Sequence, residues 1–147
     1  MREIHVSEIT DTVARLFCEA NYYLEEDVLE AIRNAARTEE SQVAKEVLEQ
    51  ILKNAEIASN GEVPLCQDCG TAVVFLEAGQ DIHITGGELK AAVDEGVRRA
   101  YNEGYLRKSM VKQPFSARVN TKDNTPAILH VEIVPGDRLK IIAVPKG

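Results

Sequence analysis

Two cysteines stand at a C-x-x-C spacing in the stretch VPLCQDCG. Cys66 and Cys69 flank Gln67 and Asp68, so two thiols, an amide and a carboxylate lie within four residues. This spacing is typical of a redox pair or of half a zinc site, and a third, less usual role is also open. Polar groups beside a cysteine and ahead of a buried strand also indicate a site loop carried on a rigid scaffold.

The surrounding sequence disfavours two of these interpretations. A thioredoxin-like pair normally follows a strand and opens a helix, but here Pro64 precedes the cysteines and the strand-like run 72–77 follows them. A structural zinc site needs four ligands, and the other candidates are isolated along the chain: Cys18, His5, His83 and His130. We expect the histidines to be surface or cross-strand residues and the remaining cysteine to be a small buried or half-buried one.

A second polar cluster lies between residues 106 and 126. Arg107 and Arg118 are candidates for binding an acid, because guanidinium groups grip carboxylates bidentately. An exposed arginine or an ordinary ion pair is the competing interpretation. The Asn- and Asp-rich run 120–124 favours turns whose side chains bond their own backbone.

The elements that must position these residues fall into two parts. Residues 1–58 read as helical, with apolar residues recurring at helical spacing in three segments. Ser7 is the predicted cap of the first helix. Residues 63–147 read as α+β and carry the site loop.

The second part begins with a buried strand at 72–77 and continues with a helix after Gly86-Gly87. Two strands, 128–134 and 139–144, follow and are predicted to form a hairpin through Pro135-Gly136-Asp137. We therefore predict an α+β fold in a single domain, residues 1–147. In it the helical N-terminal part packs beside a mostly antiparallel sheet.

Composition excludes several classes of protein. The net charge is −7, from 24 acidic and 17 basic residues, and aromatic residues make up 5% with no Trp. Nucleic-acid binding needs a basic footprint or stacking aromatics, so no nucleic-acid partner is expected. No apolar run approaches the roughly 20 residues that span a bilayer, and the N-terminus lacks the pattern of a signal peptide. We expect a cytoplasmic protein without a membrane partner.

Three stretches carry a family resemblance: VPLCQDCGTAVVFLEAGQD, LRKSMV and NTKDNTPAILHVEIVPGDRLKIIAVPKG. In this order they resemble the α portion of the iron–sulfur class I fumarases, a family that includes the tartrate dehydratase α subunits. The resemblance covers nearly the whole chain and is strongest from Val63 onward. It is far more specific than a bare C-x-x-C.

The resemblance implies a metal centre. Cys66 would be one of three cysteine ligands of a [4Fe–4S] cluster, whose fourth iron is open to substrate. Cys69 occupies a position that is more often Thr in the family, so it would be a neutral neighbour. The other two ligands would lie downstream of Gly147, so this chain alone is expected to lack an intact cluster and to be inactive.

The resemblance also implies substrate contacts. Gln67 and Asp68 would be catalytic and would contact the substrate or its departing hydroxyl, and Arg107 would hold a carboxylate. Gly147 aligns with the start of a glycine-rich loop whose backbone lies near substrate. It assigns no role to Arg118.

The function implied is that of the N-terminal part of an α subunit of a hydro-lyase of the tricarboxylic acid cycle. It would hydrate fumarate, a C4-dicarboxylate, reversibly to malate, with a β subunit as partner and with homo-oligomerisation through the α subunit. Two alternatives stay open. One is a tartrate dehydratase α subunit, and the other is a non-catalytic scaffold or redox-responsive binding module.

Overall fold

A computed structural model describes residues 1–66 and 70–147. None of the helices in these ranges is both long and apolar enough to cross a lipid bilayer. The chain divides into two compact units, Asn21–Gln67 and Met1–Ala20 with Asp68–Gly147. In chain order the elements are β1 (Arg2–His5), α1 (Val6–Tyr22), α2 (Glu26–Thr38), α3 (Gln42–Gly61), β2 (Thr71–Gly79), β3 (Ile82–Thr85), α4 (Leu89–Glu103), β4 (Val111–Lys112), β5 (Val119–Asn120), β6 (Ile128–Val134) and β7 (Leu139–Lys146).

The smaller unit consists of α2, α3 and the segment that follows them. Ser41 caps α3 by accepting a hydrogen bond from the Ala44 N–H, as short hydroxyl side chains do at helix starts. The hydrophobic core of this unit is a small apolar cluster. Its members are Leu24, Leu29, Ala55, Ala58 and Leu65. The Leu65 N–H donates to the Asn21 carbonyl at 2.8 Å, which returns the chain to the start of the unit.

In the larger unit, α1 and α4 contact each other closely. A Cβ on Gly96 would lie 2.7 Å from the Thr10 carbonyl oxygen, so only glycine allows this approach. The Thr10 hydroxyl donates to the Ala92 carbonyl at 3.0 Å. Both helices and the central strand contribute to the core, whose largest fully buried apolar side chains are Ile9, Val13, Phe17, Val74, Leu76, Val93, Val97 and Tyr101.

The main sheet has the order β6-β2-β7, with β2 in the middle. Strand β2 pairs parallel with β6 and antiparallel with β7. The pair β1–β3 is parallel and β4–β5 is antiparallel. The α+β class is therefore confirmed, but the pairing is mixed rather than mostly antiparallel.

The connection between β6 and β7 passes around the end of β2, so the hairpin prediction was wrong. The Gly79 N–H donates to Arg138 O at 2.8 Å, and the Asp81 N–H donates to Gly136 O at 3.0 Å. Strands two places apart in a sheet are separated by about 10 Å, a distance that the four residues 135–138 cover. The sequence pattern of strand, turn and strand is the same for both arrangements, so it could not show that β2 inserts between them.

The helical prediction for residues 1–58 is confirmed by α1, α2 and α3, with one omission at the start. Residues Arg2–His5 form β1, which pairs with β3. Ser7 is not the cap, because α1 begins at Val6. His5 takes that place: its Nδ1 accepts from the Ser7 N–H at 3.2 Å, while its own N–H donates to Glu8 Oε1 at 3.3 Å.

Candidate functional site

Cys66 lies at the end of the smaller unit with its side chain exposed. The Cys66 N–H donates to Asn54 Oδ1 at 3.0 Å. Asn54 belongs to α3, so this helix holds the backbone of Cys66 in place while its thiol faces solvent. The residues that follow, Gln67, Asp68 and Cys69, lie outside the described residues.

Gly70 is the next described residue, and it contacts the backbone at the end of β7. A Cβ on Gly70 would lie 1.9 Å from the Lys146 carbonyl oxygen and 3.0 Å from Gly147 Cα. No side chain fits in that space. Gly70, the residue directly after Cys69 in the sequence, therefore touches Gly147, one of the predicted substrate-binding residues.

Asn124 joins three segments of the larger unit and is fully buried. Its Oδ1 accepts from the N–H groups of Ser109 and Met110, each at 2.9 Å, and its Nδ2 donates to Gly70 O at 3.1 Å. One side-chain amide thus links Gly70, the residue after the C-x-x-C motif, to the segment that follows Arg107. This role of Asn124 was not predicted from the sequence, where the only signal was its place in an Asn- and Asp-rich run.

Asn124→Ala is expected to lower the free energy of unfolding by about 2–4 kcal/mol, because three hydrogen bonds are lost and buried partners stay unsatisfied. Urea denaturation followed by circular dichroism measures this change. Asn120→Ala is the matched control. Asn120 also bonds two backbone groups, Lys108 O and the Lys122 N–H, but it is exposed, so water replaces them. Equal losses from both substitutions would contradict the linking role of Asn124.

Helix α4 holds the segment around Asn124 in place through the charged residues Arg98 and Asp94. Asp123 accepts hydrogen bonds from the Thr125 N–H, the Thr125 hydroxyl and Arg98 Nε. Burial acts to raise the pKa of Asp123, but these hydrogen bonds outweigh it and leave the pKa below its ordinary value. Asp94 of α4 accepts from the Ala127 N–H at 2.8 Å. The carboxyl groups of Asp123 and Asp94 thus fix the backbone on both sides of residue 125.

Arg107 and Arg118 are both exposed. Arg107 follows Leu106, which is buried and fixes the start of the segment. Arg118 has a φ of 51° and its N–H donates to Gln113 O. Neither guanidinium forms an ion pair with any residue in the described ranges, so both are available there to bind an external acid. The turn interpretation of residues 120–124 is confirmed for Asn120 and Asp123, which each accept from the N–H two residues on, but it was wrong for Asn124, whose amide bonds distant backbone.

The residues 1–66 and 70–147 contain no group of three or more His, Cys, Asp or Glu side chains that could hold a metal ion. His5 and His83 are exposed, and His130 stacks across strands on Phe75 with ring centroids 4.9 Å apart. Cys18 is half-buried. These four outcomes agree with the sequence prediction.

The structure thus places the predicted site residues in two units. Gly147 and Arg107 belong to the larger unit, where Gly70 and Asn124 connect their segments. Cys66 belongs to the smaller unit. The proposed roles of Gln67 and Asp68 fall on residues that the structure does not describe.

A sequence model of the fumarate hydratase (Fumerase) family matches residues 10–147. The chain belongs to this family. The match covers every strand of the larger unit except β1, and it includes the segments around Cys66, Arg107 and Asn124.

Individual relatives agree with the family assignment. A protein of Methanocaldococcus jannaschii, described as putative L(+)-tartrate dehydratase subunit alpha, is 38% identical over 95% of this chain and 50% of its own length. The aerobic class I fumarate hydratase of Escherichia coli is 38% identical over 74% of this chain and 20% of its own length. Fumarate hydratase 2 of Leishmania major is 33% identical over 99% of this chain and 26% of its own length. The chain therefore spans half or less of each of these relatives.

Proposed function

We propose that this chain is the N-terminal part of the α portion of a [4Fe–4S] hydro-lyase that reversibly hydrates fumarate to malate with a β partner. The observation that carries the proposal is the match of the fumarate hydratase family over residues 10–147. The exposed thiol of Cys66 and the unpaired guanidinium of Arg107 among the described residues support it.

The donor chemistry of Cys66 fits one ligand of the proposed cluster. Its thiol is exposed, and Asn54 holds its backbone from α3. The family resemblance implies two further cysteine ligands downstream of Gly147, and we propose that they complete the set. When bound, such a cluster supplies a Lewis acid for the substrate hydroxyl.

Binding and orienting the substrate is the task of this chain's own side chains and backbone. Hydration adds a hydroxyl to one carbon of the double bond and a proton to the other, so a carboxylate-bearing substrate must be held rigidly between acid and base groups. Arg107 is proposed to grip one carboxylate bidentately. Gly147, whose backbone lies beside Gly70, is proposed to line the same substrate. Gln67 and Asp68 are proposed to contact the substrate or its departing hydroxyl, on the strength of the family resemblance.

Tartrate dehydration is the second candidate, with the same chemistry on a dihydroxy acid. One specific observation favours it: of the two relatives above that match nearly the whole chain, the one described as a putative L(+)-tartrate dehydratase subunit alpha is 38% identical, whereas fumarate hydratase 2 of Leishmania major is 33% identical. The match to the former also covers half of its own length. A second relative of E. coli, named L(+)-tartrate dehydratase subunit alpha, is 26% identical over 82% of this chain.

Turnover by the complete protein tests the proposal. The full-length α portion is assembled with its β partner, its cluster is reconstituted without oxygen, and fumarate hydration and L(+)-tartrate dehydration are measured side by side. Faster turnover of fumarate supports the fumarase assignment, and turnover of tartrate alone supports the second candidate. An assembly with a full complement of iron that turns over neither acid would favour the non-catalytic module.

A further inference from the structure

The segment of residues 105–122, here called the basic ribbon, has an unusual charge composition. It contains five of the chain's 17 basic residues and none of its 24 acidic residues. The five are Arg107, Lys108, Lys112, Arg118 and Lys122. A chain with a net charge of −7 thus carries a continuous positive stretch directly after α4.

These positive charges are not neutralised by neighbouring side chains of the described chain. Seven cations form ion pairs there, and all seven lie outside the basic ribbon: Arg15, Arg33, Lys53, Lys90, Arg98, Arg99 and Lys140. All the ribbon cations except the half-buried Lys108 are exposed. The field of the basic ribbon therefore extends into solvent.

Backbone pairing brings the two halves of the basic ribbon together. Lys112 of β4 lies opposite Val119 of β5, the residue after Arg118. The Thr121 N–H donates to Met110 O at 2.9 Å, which places Lys122 beside the first half of the ribbon. Because paired strands lie about 5 Å apart, the backbone segments that carry these cations lie close together.

The basic ribbon is fastened to the candidate site. Asn124, two residues beyond Lys122, donates to Gly70 O, and it accepts from Ser109 and Met110 within the ribbon. The first cation of the ribbon is Arg107, the proposed carboxylate-binding residue. A positive surface of this kind raises the local concentration of anions within about a Debye length.

We propose that Lys112, Arg118 and Lys122 form an electrostatic guide that attracts the dicarboxylate dianion toward Arg107. This proposal rests on the proposed function. It adds to that function a set of residues that act on the substrate before it is bound. A dianion is repelled by the net charge of the chain, so a local positive surface is needed to offset that repulsion. The guide acts on charge alone and leaves the chemical step unchanged.

The test compares two double variants of the complete α–β enzyme. Lys112→Gln with Lys122→Gln removes two guide charges, while Lys45→Gln with Arg138→Gln removes two exposed or half-exposed charges elsewhere. None of these four cations forms an ion pair with a described residue. The guide variant should lose about three- to tenfold in kcat/KM at low ionic strength with kcat unchanged, and the loss should vanish in roughly 0.3 M salt. An equal salt slope in both variants would overturn the guide.

Binding to the 147-residue chain separates this proposal from the proposed function. Titration with disodium fumarate, followed by amide NMR shifts, should move signals of residues 107–124 in the wild-type chain and much less in the Lys112→Gln, Lys122→Gln variant. Fumarate monoamide, with one charge, should move them less. If the wild-type signals do not move, the guide is refuted even where the enzyme turns over fumarate. Binding without any turnover by the enzyme refutes the proposed function instead.

An acidic surface of a protein partner is the competing target for the same charges. Sedimentation of the α–β assembly distinguishes it. The guide variant is expected to keep its β partner at the same concentrations as wild type. Dissociation of the variant assembly at low ionic strength would show that the basic ribbon is a docking surface and would overturn the guide.

Discussion

A complete enzyme that carries Cys66→Ser is expected to lose its iron and its turnover of dicarboxylate together. A serine hydroxyl does not replace the soft thiolate that iron–sulfur clusters require. Asn54 bonds the backbone N–H of residue 66 and not its side chain, so the fold of α3 should survive the substitution. Iron and sulfide analysis of the anaerobically purified enzyme, alongside fumarate hydration, measures both losses.

Cys69→Thr is the matched control, because it removes the other thiol of the same C-x-x-C motif. The family resemblance places Thr at this position, so iron content and turnover should stay close to those of the wild type. If both substitutions cause the same loss, Cys69 is a second ligand. If Cys66→Ser keeps its iron, the assignment of Cys66 is wrong.

Arg107→Ala should lower kcat/KM in the complete enzyme by roughly 30-fold or more, the loss that about 2 kcal/mol of binding produces. The physical reason is that the guanidinium fork holds both oxygens of one carboxylate. Arg107→Lys keeps the charge but loses the fork, so it should fall between Ala and wild type. Steady-state kinetics at saturating cluster content measures the effect.

Two further readouts separate a binding role from a structural one for Arg107. Cluster content should be unchanged in both variants, since no ligand is altered. The stability of the chain should also change little, because Arg107 is exposed and forms no ion pair within the described ranges. Normal kcat/KM in Arg107→Ala would show that the arginine is only a surface residue.

Local patterns predicted the helices well, because each of α1, α3 and α4 repeats apolar residues at a spacing near four. They failed for β1, whose four residues Arg2–His5 carry one buried side chain, Ile4. So short a strand depends on its partner β3, far away in sequence. The insertion of β2 between β6 and β7 was missed for the same reason, since it depends on pairing over more than 50 residues.

In the candidate site, too, the sequence indicated the residue types but not the long-range contacts. Residue types alone made Cys66, Arg107 and Arg118 candidates; all three are exposed, and their roles stay predictions. The link through Asn124 could not be predicted, because its partners Gly70 and Ser109 are 54 and 15 residues away. The contact of Gly70 with Lys146 also depends on the register of β2 and β7. Side-chain chemistry is local, whereas the distances between functional groups are set by pairing across the whole unit.

The central position of β2 has a consequence for how the protein folds. Strands β6 and β7 follow each other in the chain yet make their ladder contacts with β2, over 50 residues earlier. The sheet therefore has no local hairpin that could nucleate it, and a long loop must close before any of its hydrogen bonds form. Contacts of high sequence separation slow folding. During synthesis, residues 71–79 must wait for β6 and β7 to leave the ribosome before the sheet can close.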